Sequence, residues 1–155
     1  MTDKLKILFL CTGNSCRSQM AEGFARHLRS QDIEAYSAGT APSTVDPQAI
    51  KIMKEAGVDI SGRRSKHVSE VTDVDFDYVV TLCDNARQSC PLFPGKAKVV
   101  HIGVEDPSSQ GFEAPEHEKL AKYREVRDGI KEMVLAIPAV LEEHDAGLIL
   151  DVEQP

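Results

Sequence analysis

Two spacings of apolar residues alternate along the chain. Short, mainly apolar runs predict strands, and longer stretches whose apolar residues recur about every 3.6 positions predict helices between them. The predicted strands are KILFLC (6–11), EAYSAG (34–39), FDYVVTLC (76–83) and KVVHIGV (98–104). This alternation predicts an α/β protein: a single-domain three-layer sandwich with a central, four-stranded parallel sheet flanked by helices.

Three longer segments carry the helical pattern. The first covers residues 18–31, and its apolar stripe consists of Met20, Phe24, Ala25 and Leu28. The second covers residues 46–56, opens with Asp-Pro and stops at Gly57, in keeping with the preference for proline in the first turn and glycine just past the end. The third covers residues 114–137, is strongly charged and has Pro138 at its end or at a kink.

Length and charge narrow the function classes. A chain of 155 residues fits one domain, which we assign to residues 1–140, with a C-terminal extension of unknown role over 141–155. No apolar run is long enough to cross a bilayer, which argues against a membrane role. The net charge of −7 argues against broad nucleic-acid binding, because such binding needs clustered Lys and Arg. No small-residue cleavage site follows the first apolar run, so we expect a cytoplasmic protein.

The octapeptide CTGNSCRS, residues 11–18, joins the first predicted strand to the first predicted helix. In a strand, tight loop and helix, backbone N–H groups converge at the helix N-terminus and bind a tetrahedral oxyanion. Gly13 and Asn14 accept the left-handed backbone angles of such a loop, and Arg17 can clamp two anion oxygens. The predicted substrate-binding residues are Thr12, Gly13, Asn14, Ser15, Cys16, Arg17 and Ser18.

Cys11 ends the first strand, beneath the converging N–H groups and beside Arg17. The backbone dipoles and the guanidinium both favour a thiolate over a thiol at this position. A thiolate held under a bound oxyanion is placed for in-line attack on the central atom, and Ser18 is placed to hydrogen-bond the same sulfur. We therefore interpret Cys11 as a nucleophile.

The chain has four cysteines, Cys11, Cys16, Cys83 and Cys90. Without a signal peptide they are expected to be reduced thiols, used for catalysis, redox chemistry or metal binding rather than structural disulfides. Their spacings lack the two-residue separation of a zinc knuckle, and no histidine pair stands near them, so we predict no metal site. Cys16 is interpreted as a packed loop residue, with an off-pathway disulfide to Cys11 as the alternative.

The segment CTGNSCRSQMAEG resembles the active-site loop of the thioredoxin-coupled arsenate reductases, which share the low-molecular-weight protein tyrosine phosphatase fold. The phosphatases tend to carry proline where this chain has Gln19. Reduction of arsenate needs two electrons, which two thiols supply by forming a disulfide, and TLCDNARQSCP has the cysteine spacing of the reductases. The resemblance implies that Cys83 attacks the arsenic adduct of Cys11 and releases arsenite, after which Cys90 attacks Cys83.

Two further expectations concern the segments after the third and fourth strands. If residues 84–90 are helical, a rise of about 1.5 Å per residue separates Cys83 from Cys90 by about 10 Å, beyond the ~7 Å limit for a disulfide. That helix must then unwind for the bond to form.

Asp106 precedes Pro107, which holds it extended, and the resemblance implies that it protonates the oxygen leaving arsenic. A plain Asp-Pro turn is the alternative.

Some members of the resembled family bind potassium beside the loop. Their ligands match Asn14, Glu22 and Ser37 plus an aspartate, but this chain has Lys66 at the last position. The resemblance therefore implies an ammonium in place of the metal, or no occupied cation site, and activity insensitive to potassium. Residues 63–64, Arg-Arg, are interpreted as a solvated turn.

Together these patterns predict a cytosolic, monomeric arsenate reductase that uses Cys11, Cys83 and Cys90 in turn. Its substrate would be arsenate, its reductant thioredoxin, and it would need no organic cofactor or metal. Two other functions stay open at this point. One is a low-molecular-weight protein tyrosine phosphatase that hydrolyses phosphomonoesters, and the other is an anion-binding or redox-sensing module without turnover.

Overall fold

Four parallel strands in the order β2-β1-β3-β4 form the centre of the fold. The computed structural model describes residues 3–91, 93, 95–109 and 114–144. The elements in chain order are β1 (Leu5–Cys11), α1 (Arg17–Leu28), β2 (Ile33–Gly39), α2 (Pro47–Glu55), β3 (Tyr78–Thr81), α3 (Asp84–Gln88), β4 (Lys98–His101) and α4 (Glu116–Leu135). The predicted fold class, a parallel four-stranded sheet flanked by helices, is confirmed.

Strand β1 is apolar from Ile7 to Cys11 because both of its faces are covered there. Ile7 and Phe9 belong to the larger core cluster, which includes residues from α1, α2 and α4. Leu8 and Leu10 point into a smaller cluster on the opposite face, which also contains Ala86 of α3. A central strand of a parallel sheet is buried on both sides, which explains the unbroken apolar run.

Helix α1 packs against α4, and its predicted apolar stripe is mostly correct. Met20, Phe24 and Ala25 are all buried. The placement of Leu28 on the buried stripe is wrong, because this residue is 40% exposed at the last position of the helix. The helix ends there instead of reaching residue 31, and Arg29 turns its guanidinium to the backbone carbonyls at the end of α4.

Helix α2 has the ends that its sequence predicts. Asp46 caps it by accepting a hydrogen bond from the backbone N–H of Gln48 at 2.8 Å. Pro47 is the first helical residue, and Gly57 has a φ of 83°, a left-handed angle that glycine adopts without strain.

The chain continues past α4 with residues 139–144 in helical conformation, and Leu141 is buried in the larger core cluster. The rest of the expected C-terminal extension, residues 145–155, lies outside the described residues. So does part of the predicted loop after the fourth strand, at residues 110–113. None of the described helices has the length and apolar composition needed to cross a bilayer.

Candidate active site

The loop of residues 11–18, which we call the anion loop, lies between β1 and α1, and the segment 40–46 runs along its outside. Four backbone N–H groups of that segment donate to four carbonyls of the loop. The pairs are Thr40 to Cys11 at 3.2 Å, Ala41 to Thr12 at 2.9 Å, Ser43 to Gly13 at 3.0 Å and Asp46 to Ser15 at 2.9 Å. Because these carbonyls are hydrogen-bonded on the outside of the loop, the backbone N–H groups of the loop are free to face its inside. Those of residues 13–18 have no backbone acceptor within the described part of the chain, which makes a cup for a tetrahedral anion.

Asn14 holds the turn of the anion loop. Of the two loop residues expected at left-handed angles, Gly13 has no positive φ, whereas Asn14 is fully buried and has a φ of 48°. The side chain of Gln19 donates to its backbone oxygen and to its Oδ1, both at 3.2 Å, and Ser65 donates to the same backbone oxygen at 2.6 Å. Sequence reasoning noted Gln19 only as a departure from the phosphatases. Its buried amide in fact braces the strained residue of the loop.

A directed chain of hydrogen bonds ends at the Cys11 sulfur. The side-chain nitrogen of Asn14, Nδ2, can only donate, and it gives a hydrogen to Ser18 Oγ at 2.8 Å. Ser18 Oγ lies 2.9 Å from Cys11 Sγ, so its own hydrogen is free to point at that sulfur. A hydroxyl donor stabilises a thiolate more than a thiol, because a thiolate only accepts. This arrangement suits a nucleophilic Cys11.

Cys16 differs from Cys11 although both belong to the anion loop. Burial raises the pKa of Cys16 well above its usual value, and the nearby Asp46 carboxylate raises it further. Its side chain packs in the larger core cluster and is 6% exposed. A thiol in this state is a poor nucleophile, which fits the packed loop residue expected from the sequence and not a partner in catalysis.

Arg17 and Asp106 meet at the mouth of the cup. Arg17 Nη1 donates to the carbonyl of Val104 at 3.0 Å, and its Nη2 lies 3.9 Å from Asp106 Oδ2. Asp106 also accepts from the backbone N–H of Ser108 at 2.9 Å, the turn expected of Asp-Pro. Asp106 therefore forms the expected Asp-Pro turn and also lies close to Arg17 of the anion loop. A carboxylic acid here can reach an oxygen leaving an anion held by Arg17.

Cys83 lies at the same edge of the sheet as Cys11. In the parallel register Leu10 pairs with Thr81, so two residues later Cys83 stands level with Thr12. Cys83 Sγ is 3.2 Å from Thr12 Oγ1 and accepts from the backbone N–H of Ala86 at 3.4 Å as the N-cap of α3. If the register of β3 were shifted by one residue, its side chains would face the other side of the sheet, and the Cys83 side chain would lie away from the anion loop.

Helix α3 joins Cys83 to Cys90. It is shorter than the helix considered for residues 84–90, since it ends at Gln88. Cys90 is half-buried against the smaller core cluster, and burial raises its pKa. Both cysteines are free thiols in this conformation.

Two guanidinium groups form the ion pairs of Glu22, whereas the expected ammonium of Lys66 lies near enough for Glu22 to raise its pKa but forms no ion pair with it within 4 Å among the described residues. Glu22 Oε2 forms ion pairs with Arg26, at 2.7 Å, and with Arg63, while Oε1 accepts a hydrogen bond from Ser37 at 2.5 Å. Lys66 binds Asn14 Oδ1 only through its backbone N–H, at 3.0 Å, and burial lowers the pKa of its ammonium.

The expectation of a solvated turn at residues 63–64 is wrong for Arg63, because this residue is paired with the buried Glu22. Arg64 in turn pairs with Glu70. Since both oxygens of Glu22 are already bound, these residues do not fit a potassium ion. Among the described residues, no cluster of three or more His, Cys, Asp or Glu side chains could hold a metal ion.

Gly39 lets β2 pass directly behind the anion loop. A Cβ added there would stand 2.4 Å from the carbonyl oxygen of Thr12 and 2.9 Å from the backbone nitrogen of Asn14. We expect Gly39→Ala to lower the free energy of unfolding by about 2–4 kcal/mol, because the backbone must move to remove the clash. We also expect weaker binding of inorganic phosphate, measured by calorimetry.

Gly62→Ala is the matched control for this prediction, since a Cβ at Gly62 meets no atom within 4 Å. Urea unfolding should give a clearly lower free energy of unfolding for Gly39→Ala than for Gly62→Ala. Equal stability and equal phosphate binding would show that Gly39 does not shape the loop.

Comparison with known proteins agrees with this geometry. The family model described as low molecular weight phosphotyrosine protein phosphatase matches residues 6–146. A protein named arsenate reductase from Shouchella clausii is 46% identical over 126 residues, which cover 80% of this chain and 88% of the relative.

Two solved structures show the same fold. An arsenate reductase in the phosphate binding state has a TM-score of 0.70 and 35% identity, and the match covers 88% of this chain and 98% of that one. A low molecular weight protein tyrosine phosphatase from T. tengcongensis has a TM-score of 0.66 and 28% identity, with 84% and 95% covered. The anion loop, the parallel sheet and the match over most of its length place this chain in the low molecular weight phosphotyrosine protein phosphatase family.

Proposed function

We propose that the protein reduces arsenate to arsenite through Cys11, Cys83 and Cys90, used in that order, with thioredoxin as the reductant. The observation that carries this proposal is the position of Cys83, whose sulfur lies 3.2 Å from Thr12 in the anion loop. A phosphatase needs one nucleophilic thiol there. A two-electron reduction requires a second thiol beside the loop, and a third thiol, joined to it by a short helix, can take over the resulting disulfide.

In the first step the anion loop and Arg17 hold arsenate as a tetrahedral oxyanion. The Cys11 thiolate, stabilised by Ser18, attacks arsenic and forms an As–S bond. An oxygen leaves as water and takes a proton from Asp106. Arsenic is still As(V), because only ligands have been exchanged.

In the second step the two electrons are transferred. The Cys83 thiolate attacks the Cys11 sulfur and forms a Cys11–Cys83 disulfide. The electron pair of the As–S bond stays on arsenic, which leaves as arsenite. Cys90 then attacks Cys83, forms a Cys83–Cys90 disulfide and releases the Cys11 thiolate for the next arsenate.

The final disulfide must be reduced by a dithiol. Cys11 is 2% exposed and Cys83 only partly exposed, so a Cys11–Cys83 disulfide would present little surface to a protein reductant, whereas we expect unwinding of α3 to bring Cys83 and Cys90 to the surface. Thioredoxin supplies two thiols of suitable potential in the cytoplasm. We expect a cytoplasmic monomer that needs no metal or organic cofactor.

The test is production of arsenite from arsenate with thioredoxin, thioredoxin reductase and NADPH. We expect one NADPH oxidised for each arsenite formed. The phosphatase alternative is favoured by the anion loop and by the placement of Asp106, and it predicts hydrolysis of p-nitrophenyl phosphate without arsenite production. Thiol oxidation with neither turnover would instead indicate a redox-sensing module.

Potassium should not affect turnover, because Arg26 and Arg63 already neutralise Glu22. The measurement compares arsenite production in KCl and NaCl at one ionic strength. A rise in turnover specific to potassium would contradict the assignment of that carboxylate to the two arginines.

A further inference from the structure

The side chain of Asn85 joins three segments that meet at the Cys83 sulfur. Asn85 belongs to the first turn of α3. Its Oδ1 accepts hydrogen bonds from Thr12 Oγ1 at 3.3 Å and from Thr40 Oγ1 at 3.2 Å. Thr12 is part of the anion loop and Thr40 follows β2, so one amide oxygen links the helix between the two cysteines to the substrate cup.

The Thr12 hydroxyl has a single hydrogen and two possible acceptors. It lies between Asn85 Oδ1 and Cys83 Sγ, at 3.3 and 3.2 Å respectively. When Thr12 donates to Asn85, it offers Cys83 only its lone pairs, and this suits a thiol, whose S–H can donate. A Cys83 thiolate can only accept, so it needs the Thr12 hydrogen for itself.

We propose that Asn85 is a positioning residue that sets the direction of the Thr12 hydroxyl and so withholds its hydrogen from the Cys83 sulfur in the resting enzyme. The inference rests on the proposed function in one respect, that Cys83 is the second thiol of the relay. When Cys83 ionises, its proton passes to water and the Thr12 hydrogen turns to the sulfur. Asn85 then loses one of its two hydroxyl partners, at the start of the helix that must unwind.

The test is the alkylation rate of Cys83 by iodoacetamide in the reduced full-length protein, followed by mass spectrometry of the Cys83 peptide across pH. We expect Asn85→Ala to speed alkylation at neutral pH by about threefold to tenfold, the range of one hydrogen bond, and to move the pH midpoint down. Asn85→Asp should slow it, since a carboxylate competes more strongly for the hydrogen.

The Thr12→Val background distinguishes an effect that Asn85→Ala transmits through the Thr12 hydroxyl from an effect of a less stable helix α3. With no hydroxyl left to direct, Asn85→Ala should change the Cys83 alkylation rate by less than about twofold in this background. Gln88→Ala adds the same alanine to α3 at an exposed position and should match the parent protein in alkylation rate. The ion-paired groups at this end of α3, Asp84, Arg87 and His101, are kept in every variant.

Two results would overturn the inference: an unchanged pH profile in Asn85→Ala, or an acceleration of the same size in the Thr12→Val background. Alkylation needs neither arsenate nor thioredoxin. A protein that fails to produce arsenite would therefore refute the relay while leaving this measurement interpretable, and a normal relay with an unchanged profile would refute only the role of Asn85.

Discussion

Cys90→Ser is expected to release one arsenite per protein molecule and then stop. Cys11 and Cys83 can still transfer two electrons to arsenate, but the resulting disulfide includes a sulfur that is 2% exposed. Without Cys90 nothing moves the disulfide to the surface, so steady-state turnover with thioredoxin should fall roughly 100-fold or more. Rapid-quench measurement of arsenite should show a burst of unchanged size.

Cys83→Ser should remove the burst as well, because no thiol remains to attack the Cys11 adduct. Ser89→Ala is the matched control, since Ser89 is an exposed neighbour of Cys90 and should turn over as the parent protein does. A full steady-state rate in Cys90→Ser would contradict the relay. Hydrolysis of p-nitrophenyl phosphate, if present, should be unaffected by Cys90→Ser, because it needs only Cys11 and an acid.

The sequence predicts at which edge of the sheet Cys11 and Cys83 lie, because short-range rules determine it. An apolar run such as KILFLC predicts a buried strand, and parallel strands end at one edge, so both cysteines are expected at that edge. Asn14 is predicted in a left-handed turn, and its φ of 48° confirms this. These conclusions depend on residue type and local spacing alone.

Contacts between distant segments are the part that local spacing cannot predict. Glu22 and Arg63 are 41 positions apart, and their pairing depends on the path of the chain between α2 and β3. The two hydroxyls on Asn85 come from two other segments, 45 and 73 positions away. Leu28 fits the apolar stripe of α1 by spacing, but α1 ends there and leaves it exposed.

Helix α3 should open when the protein is oxidised, and this is the largest structural change we expect. Its five residues lie between Cys83 and Cys90, and a fully helical segment from 83 to 90 would separate the two cysteines by about 10 Å, whereas a disulfide needs Cα atoms within ~7 Å. Closing the bond must break helical hydrogen bonds such as Arg87 N–H to the Cys83 carbonyl and Ser89 N–H to the Asn85 carbonyl. It must also withdraw Ala86 from the core. Hydrogen exchange of the 84–90 peptide should therefore be about tenfold or more faster after oxidation by arsenate without reductant.

Cys90→Ser provides the control for this opening, since it can form only the Cys11–Cys83 disulfide and has no reason to unwind α3. The α2 peptide serves as an internal reference, because that helix packs in the larger core cluster whereas Ala86 of α3 packs in the smaller one, so α2 should exchange equally in both redox states. Unwinding also relieves the burial that raises the pKa of Cys90, so the thiol becomes a better nucleophile as it leaves the core. Equal exchange of residues 84–90 in reduced and oxidised protein would mean that the disulfide between Cys83 and Cys90 does not form, because a helical segment cannot bring those two sulfur atoms together.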